Sequence, residues 1–373
     1  MARQSSRALG RIGQLPVGHV TRRQHGAGRQ WWRGSGWRAA AVTAAAITAA
    51  AAVAVAVLVG TPRGGLPLSA PGGGGQKVPV FPAASLAPAR GALFGASVQA
   101  TGSSGDAEQA AVVAFERVIG RTLAINSLYA PWTGPMPSAI ARWDLARGTL
   151  PMITWGSAPA GRIAAGAYDS TIRAQALRLK KLRAPVLLRW FAEMNLGMNR
   201  AYAVSPATFV TAWRRIHVIF SRSGAANVRW VWCPNDSGFA QGTAQAYYPG
   251  NAYVDWICAD GFNWAPGLPG ASWTSFSQIF WPFYRWGGSL GKPMLIGEFG
   301  TLEGTPGAKA AWFSQADRAL RTQFPAVRAV VYFESNHQNF GRFFNWRVTT
   351  SQSALAAFRA FAHDPYFSAR PPT

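Results

Sequence analysis

Two glutamates stand out from the sequence by where they fall. Glu193 ends the run Pro185-Val-Leu-Leu-Arg-Trp-Phe-Ala-Glu193, and Glu298 ends Pro293-Met-Leu-Ile-Gly-Glu298; each is a carboxylate at the end of an otherwise apolar, strand-like segment. With the period of two of a β-strand, Leu187, Arg189, Phe191 and Glu193 share one face, as do Met294, Ile296 and Glu298. If those faces point inward, both acids rim one mouth. Two carboxylates across a mouth are what hydrolysis of a glycosidic bond requires: one kept protonated to give its proton to the leaving oxygen, one ionised to attack the anomeric carbon. A separation of about 5–5.5 Å corresponds to retention of configuration. The environment must push the two pKa values apart, and Arg189, two residues before Glu193, can hold the ionised partner's charge. The competing reading is an ion-pair network that merely fills a barrel top, and burying such a network has a desolvation cost with little stabilising return. No histidine neighbours either glutamate and the HExxH spacing is absent, so no metal or other cofactor is implied.

The elements that must position these residues follow from the alternation of the chain. Strand-like runs at Leu93–Gln99, Leu123–Trp132, Leu150–Gly156, Pro185–Glu193, Val228–Asn235, Val254–Asn263, Pro293–Glu298 and Val327–Glu334 are each followed by an amphipathic helical pattern or, after the fifth, a short helix or loop. Eight such units within residues 91–367 predict an α/β fold, a closed (β/α)8 TIM barrel with parallel strands. Near-continuous apolar strands such as Pro185–Phe191 fit burial on both faces. Barrel chemistry belongs at the carboxyl ends of the strands. Trp132, Trp155, Trp232 and Trp264 fall at or just beyond such ends, where a ring face can stack on a sugar, with Trp264 the foremost candidate. Asn195, Phe262, Asn263 and Phe333 occupy similar positions. Asp236 and Glu303 lie in post-strand loops, and His337 reads as a hydrogen-bonded loop residue rather than a catalyst. Cys233 and Cys258, on neighbouring strands, read most simply as buried thiols, because adjacent parallel strands rarely present good disulfide geometry, with a bond left open for a barrel outside the membrane.

The net charge of +23 over 373 residues divides unevenly. Residues 1–90 carry 11 basic side chains and no Asp or Glu, leaving +12 on the remainder. Eight of those arginines precede residues 39–60, 22 residues without a charge, long enough to cross a hydrocarbon core of about 30 Å. This pattern predicts a basic cytoplasmic tail (1–38), a transmembrane or signal-anchor helix (39–60), a Gly/Pro/Ala-rich linker (61–90) and an extracytoplasmic barrel, secreted if the segment is cleaved. No nucleic-acid-binding motif organises the charge, so no nucleic-acid partner is expected. Two cysteines exclude a disulfide framework, and 49% hydrophobic residues exclude a disordered polyelectrolyte.

The segments PVLLRWFAEMN, YYPGNAYVDWICADGFNW and KPMLIGEFG, with FERVIGR, GTLPMITW and FFNWRV around them, resemble glycoside hydrolase family 26, the β-mannanase-type retaining barrels. The resemblance covers roughly residues 91–362. It implies Glu193 as acid/base, Glu298 as nucleophile, Arg189 as the fourth-strand arginine, and a β-linked polysaccharide or oligosaccharide, β-mannan-like or another β-glycan, as substrate. Three positions depart from the family pattern, one of them Leu196, which follows Asn195 where a glycine is common. Ala192 stands where a histidine usually precedes the acid/base, and Phe262 replaces a tyrosine whose hydroxyl approaches the nucleophile. The departures at Ala192 and Phe262 support a second reading, a catalytically weakened barrel that binds polysaccharide as an accessory to cell-envelope or exopolysaccharide assembly.

Overall fold

A computed structural model describes residues 86–371. The tail 1–38, the span 39–60 and most of the linker 61–90 lie outside the described residues. Among the described residues no helix is long and apolar enough to cross a membrane.

Eight parallel strands close into a barrel in sequence order: β1 (Leu93–Val98), β2 (Ile125–Ala130), β3 (Leu150–Trp155), β4 (Val186–Trp190), β5 (Val228–Trp232), β6 (Trp256–Asn263), β7 (Met294–Thr301) and β8 (Val327–Glu334). Closure is made by β1 against β8, paired from Leu93↔Ala329 to Val98↔Glu334. A closed sheet has no unpaired edge, which removes the liability of exposed strand amides. Alternation along each strand then sorts side chains into two cores. Ile125, Met152, Leu187, Val231, Trp256 and Leu295 belong to a cluster filling the barrel interior. Ile153, Leu188, Trp230, Ile257 and Ile296 face the other way, into a continuous layer with the helices. A helix follows each strand as the alternation predicts, including a short Asp236–Ala240 helix after β5, and two further short helices, Ala160–Ala164 and Arg200–Ala203, add to them.

The helices start on serines. Ser104, Ser138, Ser205, Ser275 and Ser351 each accept a hydrogen bond from the backbone N–H three residues on, and Ser275 with Gln278 forms a reciprocal capping box. Each such cap contributes about 1 kcal/mol. Because a barrel helix begins just after its strand, these caps fix where each loop leaves the mouth of the barrel.

Two features differ from the sequence expectations. The segment after β8 folds into an antiparallel hairpin, β9 (Asn336–Asn339) and β10 (Arg342–Asn345), where only loop is expected. Its Phe344, with Trp346, packs on Trp264, Phe262 and Phe333, so the hairpin is anchored by one aromatic cluster at the mouth. The second difference is covalent. Cys233 and Cys258 are not free thiols but form a disulfide, with Cα atoms 4.3 Å apart across β5 and β6. The strands' neighbouring inward positions bring the two Cβ atoms close enough, an arrangement that the general rarity of cross-strand bridges in parallel sheets does not anticipate.

The disulfide closes a loop with a sequence separation of 25. Replacing both cysteines by alanine is expected to lower stability by about 3 kcal/mol on the chain-entropy scale, read as a lower midpoint in denaturant with a slope that is unchanged or steeper, because the freed unfolded chain exposes more surface.

Candidate active site

The site is built around Arg189. It is the inward-facing residue of β4 next above Leu187, and it is 0% exposed. Its Nε donates to Thr154 Oγ1 of β3 at 2.8 Å; Nη1 donates to both oxygens of Asp260 on β6 at 2.9 and 3.0 Å; Nη2 donates to Glu298 Oε1 on β7 at 2.5 Å. Burial disfavours the guanidinium charge, but Asp260 and Glu298 outweigh it and raise its pKa, so it stays charged. Burial pushes the Asp260 carboxyl up against the pull of Arg189, with Glu298, Glu193 and Asp236 adding to the rise. Thus a fixed cation lies across the barrel top with a carboxylate on either hand.

Glu298 reaches this cation by a route that alternation alone does not give. Met294 and Ile296 face the helices, not the barrel, so a regular strand would turn Glu298 outward with them. Instead the register against β6 jumps from Ala259↔Ile296 to Asp260↔Glu298, and Gly297 is the extra residue. The bulge re-aims the next side chain into the mouth. A Cβ at Gly297 would lie 2.4 Å from Cys258 Sγ and 2.6 Å from Asp260 Oδ1, so only glycine fits. The expected shared face of Met294, Ile296 and Glu298 is corrected by this one-residue insertion.

Glu193 is also off its expected face. The strand ends at Trp190, and Phe191 packs outward against Trp190, Phe209 and Tyr202. Phe191 and Glu193 both have positive φ, 48° and 54°. Such backbone conformations in non-glycine residues are retained where the surroundings over-determine them, often at functional sites. Here the Glu193 N–H donates to Cys233 O of the β5 end at 2.8 Å. Asn235 Nδ2 donates to Glu193 Oε1 at 2.8 Å, and Asn195 holds Asn235 through its backbone N–H and carbonyl. Burial, and then the negative charge of Glu298, raise the Glu193 pKa to about 7 against the Asn235 hydrogen bond. Asp236, next in sequence to Asn235, rises to about 7 by burial and by the charge of Glu193.

Tyr129 completes the inner ring. As the third inward residue of β2 after Ile125 and Ser127, it places its hydroxyl on Glu298 Oε1 at 2.6 Å. Half-buried His337 on β9 lies against Phe333 and Phe344; burial lowers its pKa, and the charge of Glu298 acts in the opposite direction.

The aromatic expectations divide. Trp155 and Trp232 are fully buried, and Trp132 nearly so. Trp132 stacks on Trp155 at 4.3 Å, while Trp232 packs on Phe239, Tyr248 and Trp286 and donates to Tyr247 O. These three are core residues with no face left for a ligand, which corrects their placement in a cleft. Asn263 is likewise buried, bonded to Thr301 and to the Thr274 N–H. Phe262, Trp264 and Phe333 are half-buried in the aromatic cluster beside the mouth. Glu303 accepts from Thr350 and Ser351 and so ties a loop.

The exposed rings are different ones: Tyr129 (44%) within β2, and Tyr202 (47%), Trp273 (40%) and Phe343 (61%) on the segments that follow β4, β6 and β8. Asp260 and Tyr129 were legible from the same period-two pattern that marks Arg189. Asn235 carries no such signal, because it acts from beyond a strand end.

A family's sequence model and several relatives match this chain. The model of glycosyl hydrolase family 26 matches residues 158–279, which include Arg189, Glu193 and Asp260. Endoglucanase H of Acetivibrio thermocellus is 32% identical over 266 residues, 67% of this chain and 29% of the relative, so the chain spans less than a third of that protein's length. The chain belongs to glycosyl hydrolase family 26. Its fold is similar to the catalytic domain of a family 26 endo-β-1,4-mannanase from Bacillus sp. JAMB-750, with a TM-score of 0.57 at 16% identity over 75% of this chain and 88% of that one. It is similar also to a Bacillus subtilis mannanase, with a TM-score of 0.52 at 18% identity over 76% and 88%.

Two outcomes are expected for this family 26 site. Gly297→Ala forces the bulge apart and lowers both stability and turnover, measured by thermal unfolding and by activity on the wild-type substrate. Glu193→Gln behaves oppositely on stability. Between the ordinary carboxyl value of 4.5 and about 7 the native state holds a proton that the unfolded chain releases, so stability declines as pH rises through that window. Glutamine removes the penalty, so above pH 7 the variant should be more stable by about 1–3 kcal/mol. An equal or lower unfolding midpoint at pH 8 would contradict this.

Proposed function

We propose that the barrel is a retaining glycosidase that hydrolyses a β-linked polysaccharide, with Glu298 as nucleophile and Glu193 as acid/base. The observation that carries this is the unequal treatment of two carboxyls at one mouth. Glu298 is bonded to a buried, permanently charged guanidinium and to a phenol, both of which favour its anion. Glu193 is held protonated up to about 7 by burial and by Glu298 itself. In the first step a Glu298 oxygen bonds to the anomeric carbon as the glycosidic C–O bond breaks, and the departing oxygen takes the Glu193 proton. In the second, the Glu193 carboxylate takes a proton from water, the water oxygen bonds to the anomeric carbon, and the bond to Glu298 breaks.

Among polymers, β-glucan comes first. The relative with 32% identity is named an endoglucanase, whereas the likeness to mannanases is one of fold. The exposed rings of Tyr202, Trp273 and Phe343 stand on segments following β4, β6 and β8 and supply stacking faces beyond the reacting pair. Trp273 lies close to Gly304, where a Cβ would be 2.8 Å from the indole, so the absence of a side chain there makes room for the ring.

The second reading, of a barrel with weakened catalysis, rests on Ala192 and on the absent hydroxyl at Phe262. Tyr129 supplies a hydroxyl to the same carboxylate from the opposite strand, which answers the Phe262 departure and leaves Ala192 as its support.

We further propose that the barrel works outside the cytoplasm, tethered or released through residues 39–60. The arginine-rich flank before an uncharged span supports this, and a disulfide within the barrel suits an oxidising compartment. Protease accessibility of the barrel in intact cells tests it.

Reducing ends should be released from one or more of β-glucan, β-mannan and β-xylan, with retained anomeric configuration by proton NMR at early times. Activity should have a basic limb near pH 7 and fall at least 1,000-fold, roughly the effect of losing a nucleophile, in Glu298→Ala. No cleavage of any polymer by the wild type, or undiminished cleavage by Glu298→Ala, would sink the proposal.

A further inference from the structure

We propose that Tyr129 is a positioning residue for Glu298: it fixes which carboxylate oxygen attacks the sugar and stabilises that carboxylate as it departs in the second half of the reaction. The inference rests on the glycosidase reading above and goes beyond it in assigning atoms.

Two donors converge on one oxygen. Arg189 Nη2 and the Tyr129 hydroxyl both bond Glu298 Oε1, at 2.5 and 2.6 Å. Among the described residues no donor reaches Oε2. An oxygen holding two short hydrogen bonds has its lone pairs engaged, so Oε2 is the one free to form the bond to the anomeric carbon. The Tyr129 ring makes no contact with another aromatic ring among the described residues and is 44% exposed. Hydrophobic burial is therefore not what holds it in place; the hydroxyl is, bonded to Glu298 with Ser97 of β1 beside it. The ring is exposed but the hydroxyl end is enclosed, and its burial and the charge of Glu298 push its pKa up against the charge of Arg189, so the phenol keeps the proton it donates.

The consequence is asymmetric in time. When the Oε2–carbon bond forms and the glycosidic bond breaks, Glu298 loses its negative charge and Oε1 becomes an ester carbonyl, a weaker acceptor. The Tyr129 bond thus stabilises the free anion more than the glycosyl-enzyme. When water attacks and the carbon–Oε2 bond breaks, the electron pair returns to the carboxylate and the charge redeveloping on Oε1 meets the two donors again. Removing the hydroxyl leaves a more reactive nucleophile for the first step and a poorer leaving group for the second.

Tyr129→Phe keeps the ring and removes only the oxygen. Assayed on a dinitrophenyl glycoside of whichever oligosaccharide the wild type releases, it should show kcat lowered by about 10–100-fold, the range for a hydrogen bond to a charged group. KM should fall in parallel, leaving kcat/KM within about threefold. Intact-protein mass spectrometry during turnover should show a glycosyl adduct that the wild type does not accumulate. Ser97→Ala should shift the same quantities in the same direction by a smaller factor. Wild-type kcat in Tyr129→Phe, or equal losses in kcat and kcat/KM without an adduct, would overturn the proposal, the latter indicating a role in structure only. A wild type that cleaves no glycan is a distinct result: it removes the glycosidase reading and this inference with it.

Discussion

A guanidinium with no exposed surface has to be neutralised where it lies, and the barrel top is organised around that requirement. Arg189 engages β3, β6 and β7 at once through Thr154, Asp260 and Glu298. Removing one partner of a buried ion pair typically costs about 3–5 kcal/mol, because the other charge is left uncompensated. The arrangement is therefore self-consistent only when all members are present. Its return is electrostatic: burial and, after it, the charge of Glu298 raise the pKa of Glu193 to about 7.

Two irregularities of backbone make the pairing possible. At β7 the inserted Gly297 turns Glu298 inward, beside a disulfide and Asp260 that leave no room for a side chain at the bulge. After β4 the positive φ values at Phe191 and Glu193 lift the acid off the strand, where a backbone bond to Cys233 O and the Asn195–Asn235 pair hold it. Both irregularities involve β5 and β6, the same strands that the Cys233–Cys258 bond joins. The covalent link thus lies under the acid and the bulge together, which ties the rigidity of the site to the interior of the barrel.

The mouth is framed by a second, separate device. Lys309, buried at the start of the helix after β7, donates to Trp346 O and Arg347 O, and Tyr332 bonds the same Trp346 carbonyl. Glu334 accepts from the Val348 N–H. Burial lowers the Lys309 pKa to about 8 and raises that of Glu334 to about 7. These groups fix the return of the chain after the β9–β10 hairpin, and with it the aromatic cluster of Phe262, Trp264 and Phe344. Phe262 is thereby a packing residue, and the hydroxyl that reaches Glu298 comes from β2.

The sequence by itself determined the barrel, since strand-like and helical periods alternate eight times and the interior and helix-facing positions follow from a period of two. It also singled out Glu193, Glu298 and Arg189, because carboxylates are scarce and these positions end apolar runs. It did not determine how Glu298 faces the mouth. A one-residue bulge reverses every later side chain, and its presence depends on what packs across from Gly297 on β6. Nor did it separate buried tryptophans from exposed ones. Trp132, Trp155 and Trp232 end strands as Trp264 does, but whether a ring at a strand end lies under a helix or over the mouth is decided by its neighbours in space. The Tyr129 contact to Glu298 joins residues 169 apart in sequence, and only closure of the barrel brings β2 and β7 to the same oxygen.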